Sequence, residues 1–271
     1  MKEFRKRWVI GDIHGNYRGL KQAFDRANVD YEKDQFISLG DIADGYSEMH
    51  LVMDLLSQIH PDNLIIIKGN HDEWFKEWML MGIHPTMWQQ GGDGSFKSYL
   101  KLIDKDDMWQ HKASGGFLTA LNPDDIPILH QKMLRDQHNY YIDDKNNLFV
   151  HGGFNRHFDI KEQMPHIYFW DRDLWMSALS YESMSKEDGK NNNKFKMKNE
   201  FNRIFIGHTA TTSWARGGKT ITTPMKAANI WNLDTGGAFE GKITVMNIDN
   251  PDEYYQSDMS TLLYPDEKGR R

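Results

Sequence analysis

Cysteine is absent from the 271-residue sequence, and this absence limits the metal sites and covalent cross-links that the chain can form. Disulfide bonds and thiolate metal ligands are both excluded. A bound metal must instead be held by histidine, aspartate, glutamate or asparagine. Oxygen and imidazole donors of this kind suit manganese, iron(II), zinc and magnesium.

Long apolar runs are also lacking. The run that follows the charged start extends only from Trp8 to Ile10, whereas the apolar part of a signal peptide needs roughly 7–15 residues. No stretch approaches the roughly 20 apolar residues of a membrane span. We therefore expect a cytoplasmic protein that does not enter a membrane.

The sequence has no excess of positive charge. Its 33 lysine and arginine residues are outnumbered by 39 aspartate and glutamate residues, which gives a net charge of −6. A surface that binds nucleic acid without sequence preference needs a cationic face. General nucleic-acid binding is therefore not expected, although a local basic patch is compatible with this charge.

Short apolar runs, polar loops and helical spacing alternate three times at the start of the chain. The runs are 8–10, 35–39 and 64–67, and the loops after them are GDIHG (11–15), GDIADG (40–45) and GNHD (69–72). Helical spacing follows over 16–27, over 47–59 and again after the third loop. This order predicts a mostly parallel sheet with helices on its faces. Ligands of such sheets bind at the carboxyl ends of the strands, where all three loops would lie.

Two more predicted strands end in polar residues of the same type. Residues 147–150 lead into HGG (151–153), and residues 203–206 lead into GHT (207–209). Residues 241–249 predict a closing strand. With no internal repeat and no interdomain linker, we expect a single domain over residues 1–271.

Residues 73–135 are rich in tryptophan and methionine. We interpret them as a helical insertion with a break at residues 91–94. The insertion would either cover the site as a lid or form a hydrophobic packing layer, and the sequence leaves both open. Residues 185–198 are rich in asparagine and lysine and predict a solvated loop.

Five predicted strand ends carry residues that bind metals. They are Asp12 with His14, Asp41, Asn70, His151 and His208. Each alone has a structural alternative, as a turn residue, a helix cap or a buried histidine. Together at one sheet edge, however, two buried carboxylates would repel each other without a cation. Two divalent ions would supply the missing positive charge.

The ordered set of motifs resembles the calcineurin-like metallophosphoesterases from about residue 7 to residue 249. It is most similar to the phosphoprotein phosphatase branch, with its bacterial and phage Ser/Thr phosphatases and symmetric dinucleoside tetraphosphatases. Minor matches at 91–99, 149–153 and 170–172 favour the bacterial and phage side. The resemblance implies an α/β fold, a β-sandwich of mixed sheets flanked by helices, with the metal site at the carboxyl ends of the strands.

The resemblance also implies a role for each site residue. The first metal would be held by Asp12, His14 and Asp41, and the second by Asp41, Asn70, His151 and His208. Manganese is the first choice for both ions, with iron, zinc and magnesium as alternatives. A hydroxide that bridges the ions would attack the phosphorus atom.

The same resemblance implies that His71 protonates the leaving oxygen. Asp44 would orient this histidine, and a carboxylate beside an imidazole also raises its pKa. The structural alternative for His71 is a supporting contact to the metal ligands.

The phosphate-binding residues depart from the family pattern. Gly45 stands where the family usually has an arginine, and Lys68 replaces a second arginine. Lysine supplies charge but lacks the bidentate fork of a guanidinium. We assign phosphate binding to Arg172, which matches a family arginine, together with Lys68 and Asn70. Arg156, Arg203 and Arg216 are open to the same role or to a place on the surface.

These observations predict an enzyme that hydrolyses phosphate monoesters, and first of all a Ser/Thr-type protein phosphatase. A dinucleoside tetraphosphatase and a phosphatase for nucleic-acid ends are alternatives. The partner is accordingly a phosphorylated protein or a nucleotide. A third class is an inactive regulator that binds metal, which the presence of His71 and Asp44 argues against.

Overall fold

The computed structural model describes residues 3–113, 116–187 and 200–270. Its first main sheet contains three parallel strands, as the alternation predicts, and two antiparallel strands at one side. Across the sheet the order is β14 (Tyr254–Gln256), β13 (Thr244–Asn247), β1 (Arg7–Ile10), β2 (Gln35–Ser38) and β3 (Leu64–Ile66). The predicted closing strand is β13, which pairs antiparallel with β1.

The second main sheet is also mixed. Its order is β11 (Met225–Ala227), β12 (Ile230–Asn232), β8 (Arg203–Ile206), β7 (Asn147–Val150) and β6 (Tyr140–Ile142). The inner strands β12, β8 and β7 are parallel, and both edge strands are antiparallel. The strands predicted over 147–150 and 203–206 are confirmed.

The two sheets pack face to face through an apolar layer. Phe149 of β7 and Phe205 of β8 stack with ring centroids 5.0 Å apart, and Val9, Ile37 and Met246 of the first sheet belong to the same cluster. The central strands are buried on both faces, which explains their continuous apolar runs. The predicted β-sandwich of mixed sheets is confirmed.

Helices cover the outer faces of the sandwich. On the first sheet lie α1 (Tyr17–Ala27), α2 (Met49–Leu56), α3 (Asn70–Met81), α4 (Gly92–Leu102) and α5 (Ile128–Arg135), and on the second lie α6 (Pro165–Trp170) and α7 (Asp173–Glu187). A short α8 (Ser260–Leu263) contacts α1. The start of α1 is fixed by its N-cap, since the Asn16 side chain accepts a hydrogen bond from the Gly19 N–H.

The segment 73–135 is not helical throughout. Between α4 and α5 it forms a hairpin of β4 (Trp109–His111) and β5 (Phe117–Thr119). Both strands are short and partly exposed, so they lack the alternation that predicts a strand. The predicted break at 91–94 is the start of α4. Aromatic residues of the segment form part of the core beside the first sheet; these are Trp74, Phe75, Trp78, Trp88, Phe96 and Tyr99.

A second small hairpin, β9 (Ala215–Arg216) with β10 (Lys219–Thr220), was not predicted. Of the loop expected over 185–198, residues 185–187 are instead the last of α7. Its remainder from residue 188 lies outside the described residues. Within the described ranges, none of the helices has the length and apolar character needed to cross a membrane.

Asp34 precedes β2 and holds the start of the first sheet together. Its buried carboxylate accepts hydrogen bonds from Arg5 Nε (2.7 Å), Trp8 Nε1 (3.0 Å) and the Asp30 N–H (2.9 Å). Burial raises the pKa of Asp34, but hydrogen bonds from Arg5, Asp30 and Trp8 outweigh it and lower the pKa below its usual value. The ionised form of Asp34 therefore stabilises the folded state.

Replacing Asp34 with alanine is expected to lower the free energy of unfolding at pH 7 by about 2–4 kcal/mol, because buried donors lose their acceptor. The stabilisation by Asp34 is fully present above the unfolded-state pKa of about 3.9 and is lost as the pH falls through the lower folded-state pKa. Urea unfolding at several pH values measures the difference. Asp25→Ala, which removes an exposed carboxylate, is the control, and equal losses in both variants would contradict the prediction.

Candidate metal centre

The predicted metal ligands meet at one edge of the sandwich. Asp12 follows β1, Asp41 follows β2, and His151 and His208 follow β7 and β8. Asn70 is the first residue of α3, directly after the loop that leaves β3. All of them are buried, together with His14. Residues far apart in the chain are thus neighbours, as parallel strands with a common carboxyl edge predict.

The ligand atoms form two groups that share Asp41. Asp12, His14 and Asp41 make the first group, while Asp41, His151 and His208 make the second, and within each group the ligand atoms lie within 4.8 Å of one another. Asp41 Oδ2 is 3.4 Å from His14 Nε2 and 3.3 Å from His151 Nε2. One carboxylate is therefore placed between two clusters of donors.

Asn70 joins the second group. Its Oδ1 atom lies 3.3 Å from His151 Nε2. The amide oxygen is a neutral donor, so it adds a ligand without adding negative charge to the centre.

Backbone carbonyls orient two of the imidazoles. His14 Nδ1 lies 3.0 Å from the Ala43 oxygen, and His151 Nδ1 lies 2.8 Å from the Leu39 oxygen. Because a carbonyl oxygen only accepts, each Nδ1 carries the proton in the neutral ring and each Nε2 is left with its lone pair. This is the tautomer that a metal ligand needs.

Four buried polar atoms of the site have no hydrogen-bond partner. They are Asp12 Oδ1, Asp41 Oδ2, His71 Nε2 and His208 Nε2. The other carboxylate oxygens are satisfied, since Asp12 Oδ2 accepts from the His208 N–H at 3.0 Å and Asp41 Oδ1 accepts from the His71 N–H at 2.9 Å. Buried polar groups normally have partners. The unpaired oxygens and the His208 nitrogen are the atom types that divalent cations bind.

The electrostatics of the site also call for positive charge. Burial lowers the pKa of His151, but the carboxylates of Asp41 and Asp12 outweigh it and raise the pKa to about 10. Burial, and then the nearby carboxylate of Asp234, raise the pKa of Asp12 well above its usual value. The carboxylates thus favour a positive charge at this place. The donor set fits divalent cations, whose binding requires neutral imidazoles and ionised carboxylates.

His71 and Asp44 form a buried pair beside the two ligand groups. His71 Nδ1 is 2.7 Å from Asp44 Oδ2, and Asp44 Oδ1 accepts hydrogen bonds from Trp88 Nε1 (2.9 Å) and Ser95 Oγ (2.8 Å). The His71 and His14 rings meet edge to face at 4.9 Å. Burial lowers the pKa of His71 to about 3, so its ring is neutral at pH 7 until a negative charge arrives. His71 Nε2 is left free for another partner.

The predicted phosphate-binding side chains have different surroundings. Lys68 is buried, and its Nζ contacts Glu73 Oε2 at 3.0 Å while lying over the Phe169 ring. Arg172 is exposed, and its charge contributes to the lowered pKa of His208, after burial and His151. The charge of Arg172 thus acts on the centre, whereas Lys68 already has a carboxylate partner.

Several residues of the site were not among the predicted site residues. Asp72 links two of the loops, because its Oδ1 accepts from the Ile42 and Ala43 N–H groups and its Oδ2 accepts from the Gly69 N–H. Trp88, between α3 and α4, and Ser95, within α4, donate hydrogen bonds to Asp44 Oδ1. Two of these residues had a usable signal. Asp72 belongs to the GNHD loop, and Asp234 follows the apolar run of β12 in the manner of the other strand ends.

The backbone of the site is left-handed at four residues that are not glycine. The φ angles of His14, Asp41, Asp44 and His208 lie between 49° and 70°. Such conformations are unfavourable for L-residues and persist where the surrounding structure imposes them. The hydrogen bonds to Asp72 supply part of that constraint.

A groove of about 380 Å³ adjoins the centre at Asn70. It is lined by Trp74 and Trp170 as well as by the carboxylates of Glu73 and Glu77. Trp170 also meets the His208 ring edge to face at 5.6 Å. The ligand groups therefore have an aromatic and acidic surface beside them.

Comparisons with known proteins agree with this geometry. A family model described as "Calcineurin-like phosphoesterase" matches residues 5–211. "Serine/threonine-protein phosphatase 2" of Escherichia coli (strain K12) is 33% identical over 94 residues, which are 34% of this chain and 41% of that protein. The chain thus matches less than half of the length of this curated relative.

Two solved structures share the fold over most of the chain. A putative diadenosine tetraphosphatase has a TM-score of 0.58 at 13% identity, covering 93% of this chain and 92% of that chain. A protein serine/threonine phosphatase from Saccharomyces cerevisiae, described as similar to human phosphatase PP5, has a TM-score of 0.52 at 12% identity. It covers 95% of this chain and 81% of its own. At such identities the likeness concerns the fold alone.

Proposed function

Because the chain belongs to the calcineurin-like phosphoesterase family, and is therefore a metal-dependent phosphoesterase, we propose that it hydrolyses phosphate monoesters at a two-metal centre. The proposed substrates are phosphoserine and phosphothreonine in proteins. The observation that carries the two-metal proposal is the pair of ligand groups that share Asp41. A shared carboxylate is the arrangement that brings two cations close enough to act on one phosphate.

The proposal gives each ligand a place. Asp12, His14 and Asp41 would hold one cation, and Asp41, Asn70, His151 and His208 the other, with Mn²⁺ as the first ion to test. When bound, the pair of cations supplies an activated water for attack on phosphorus and neutralises charge on the phosphoryl oxygens. The carbonyl contacts of His14 and His151 keep their Nε2 atoms directed at the ions.

His71 is proposed to protonate the leaving oxygen. An alkoxide leaves poorly without a proton, and His71 Nε2 is a buried nitrogen that has no hydrogen-bond partner and is not a proposed metal ligand. The arrival of a phosphate dianion favours the protonated imidazole, which offsets the lowering of the His71 pKa by burial. Asp44 would hold the ring through Nδ1, and its own position is fixed by Trp88 and Ser95.

The choice of a phosphoprotein substrate is supported by the stretch that is 33% identical to a bacterial serine/threonine phosphatase. A second candidate, hydrolysis of dinucleoside tetraphosphates, is favoured by the groove beside Asn70. Its side chains Trp74 and Trp170 offer aromatic surface on which a nucleobase could stack. The two proposals share the metal centre and differ only in what lies beyond the phosphate.

A substrate panel with Mn²⁺ is expected to separate these functions. We expect kcat/KM for a phosphoserine or phosphothreonine peptide to exceed that for diadenosine tetraphosphate and for a 5′-phosphorylated oligonucleotide by about tenfold or more, since tenfold corresponds to about 1.4 kcal/mol of transition-state binding. p-Nitrophenyl phosphate serves as the reference for intrinsic activity. Phosphate release is measured for each substrate before and after metal removal with a chelator.

The panel also tests the alternatives. Dominant cleavage of diadenosine tetraphosphate would replace the protein phosphatase proposal by the second candidate, and dominant cleavage of the oligonucleotide would indicate a nucleic-acid-end phosphatase. Protein that contains two equivalents of Mn²⁺ and turns over none of the substrates would instead support the metal-binding regulator. Restoration of activity by added Mn²⁺ after chelation is the control for damage during metal removal.

A further inference from the structure

We propose that Arg270 binds the substrate phosphate, which is the role of the arginine that the family has at the position of Gly45. The inference rests on the proposed phosphoesterase function and adds a residue to its substrate site. Arg270 lies outside the matched range 5–211 of the family model. It is also distant in sequence from every metal ligand.

The backbone at Gly45 has no room for the family's arginine. Its φ of +85° is in the left-handed region, and a Cβ atom there would lie 2.8 Å from the His14 oxygen and 3.0 Å from His14 Cβ. The Gly45 N–H donates to the Gly91 oxygen at 2.9 Å, which holds this loop in place. A guanidinium beside the centre must therefore come from another part of the chain.

Arg270 reaches the same region from the other side. Its Nη1 atom is 3.4 Å from His14 Nε2, next to the first ligand group. The Arg270 side chain also lies close to Gly91. A Cβ atom added to Gly91 would be 2.9 Å from Arg270 Cγ and 3.0 Å from the Gly45 nitrogen. The arginine side chain thus passes along the surface formed by Gly45 and Gly91.

The guanidinium of Arg270 is only partly satisfied by the protein. Its Nε atom is buried without a hydrogen-bond partner, and the group lies over the Phe239 ring at 5.2 Å. An arginine with a purely structural role normally pairs with a carboxylate or caps carbonyl oxygens. The unpartnered Nε–H is instead a donor that an anion would satisfy, and phosphate fits the planar fork.

Two positive side chains converge on this place. Burial and then the charge of Arg270 lower the pKa of Arg172, so the two guanidiniums lie within electrostatic range and repel each other. That repulsion is relieved when an anion lies between them. Arg172 was predicted to bind phosphate, so Arg270 would complete a pair of arginines around it.

The segment that carries Arg270 contacts the loop that contains Gly45. Glu267 accepts hydrogen bonds from the Ser47 N–H (3.0 Å) and from Ser47 Oγ (2.7 Å). Tyr264 stacks on Tyr46 with centroids 4.2 Å apart. These contacts position Arg270 next to the metal centre independently of any ligand.

Steady-state kinetics and phosphate binding by the Mn²⁺-loaded full chain test the proposal. For Arg270→Ala we expect the KM for p-nitrophenyl phosphate and the Kd for inorganic phosphate, measured by calorimetry, each to rise roughly 10- to 100-fold, the effect of losing charge-assisted hydrogen bonds. Manganese content and melting temperature should stay at the wild-type values. Arg270→Lys is expected to recover less than half of the loss, because it restores charge without the fork.

Arg26→Ala is the matched control, since Arg26 also contacts a late segment of the chain, at Gln256 and Asp258. It should leave both constants unchanged. An unchanged phosphate Kd in Arg270→Ala overturns the proposal, as does full rescue by Arg270→Lys. If the alanine variant does not fold, Arg270→Gln carries the same test with the same expected change.

The calorimetric arm separates this inference from the proposed function. Wild-type protein that binds phosphate through Arg270 but hydrolyses no phosphoester would contradict the hydrolase and leave the phosphate site standing. Hydrolysis with normal KM in Arg270→Ala and Arg270→Gln would support the hydrolase and overturn the phosphate site. Phosphate that binds neither wild-type nor variant protein overturns the role of Arg270.

Discussion

Asp41→Asn is expected to lower kcat by roughly a thousand-fold or more, which corresponds to about 4 kcal/mol of transition-state stabilisation. Asparagine keeps the size of the side chain and an oxygen that can accept from the His71 N–H. It removes the negative charge that both ligand groups share. Both proposed cations would be bound more weakly, so we expect the manganese content to fall together with kcat.

Metal analysis by mass spectrometry and phosphate release with p-nitrophenyl phosphate measure the two effects. Asp34→Asn is a matched control because Asp34 is a buried carboxylate at the opposite end of the same strand, β2. This control should lower stability without changing the metal content or kcat. Two retained equivalents of Mn²⁺ and normal turnover in Asp41→Asn would refute a shared carboxylate ligand.

His71→Asn is expected to lower kcat on a phosphoserine peptide by about 10²–10⁴-fold, the usual contribution of general acid catalysis. The loss on p-nitrophenyl phosphate should be at least about tenfold smaller, since p-nitrophenolate is a stable anion that needs little help from a proton donor. Metal content should not change, because no ligand is removed. The two substrates together distinguish proton donation from damage to the centre.

A second imidazole–carboxylate pair, in which the histidine is buried and the aspartate is exposed, provides the control for this variant. His130 Nε2 lies 3.0 Å from Asp54 Oδ1, and its Nδ1 lies 3.1 Å from the hydroxyl of Tyr99. We expect His130→Asn to alter stability but to leave the ratio of the two activities as in the wild type. Equal losses on both substrates in His71→Asn would assign His71 to supporting the metal ligands rather than to proton transfer.

Much of the fold follows from the sequence because parallel strands leave strong local signals. Buried strands such as β1 and β7 are continuous apolar runs, and each ends abruptly at a polar residue such as Asp12 or His151. The sharing of one sheet edge by these ends is a rule of topology and needs no knowledge of side-chain contacts. The same rule extended to Asp234 would have added this residue to the predicted site.

The parts that were missed depend on contacts between distant segments. Ser95 and Trp88 reach Asp44 from 51 and 44 residues further along the chain, and nothing in their local sequence indicates a carboxylate partner. Edge strands and small hairpins such as β4–β5 are too short and too exposed to show a period of two. The sequence shows that Gly45 stands where the family has an arginine. It does not show that residues 264–270 pack on this loop, and that packing is what places Arg270 beside the metal centre.

The left-handed backbone at His14, Asp41, Asp44 and His208 has a consequence for anyone who would engineer this protein. At such φ angles glycine is the residue that the main chain favours, by on the order of 1 kcal/mol per position. A search for stabilising substitutions would therefore select the very positions where the proposed chemistry requires a carboxylate or an imidazole. Stability and activity demand different amino acids there, so gains in thermal tolerance have to be sought away from the strand ends.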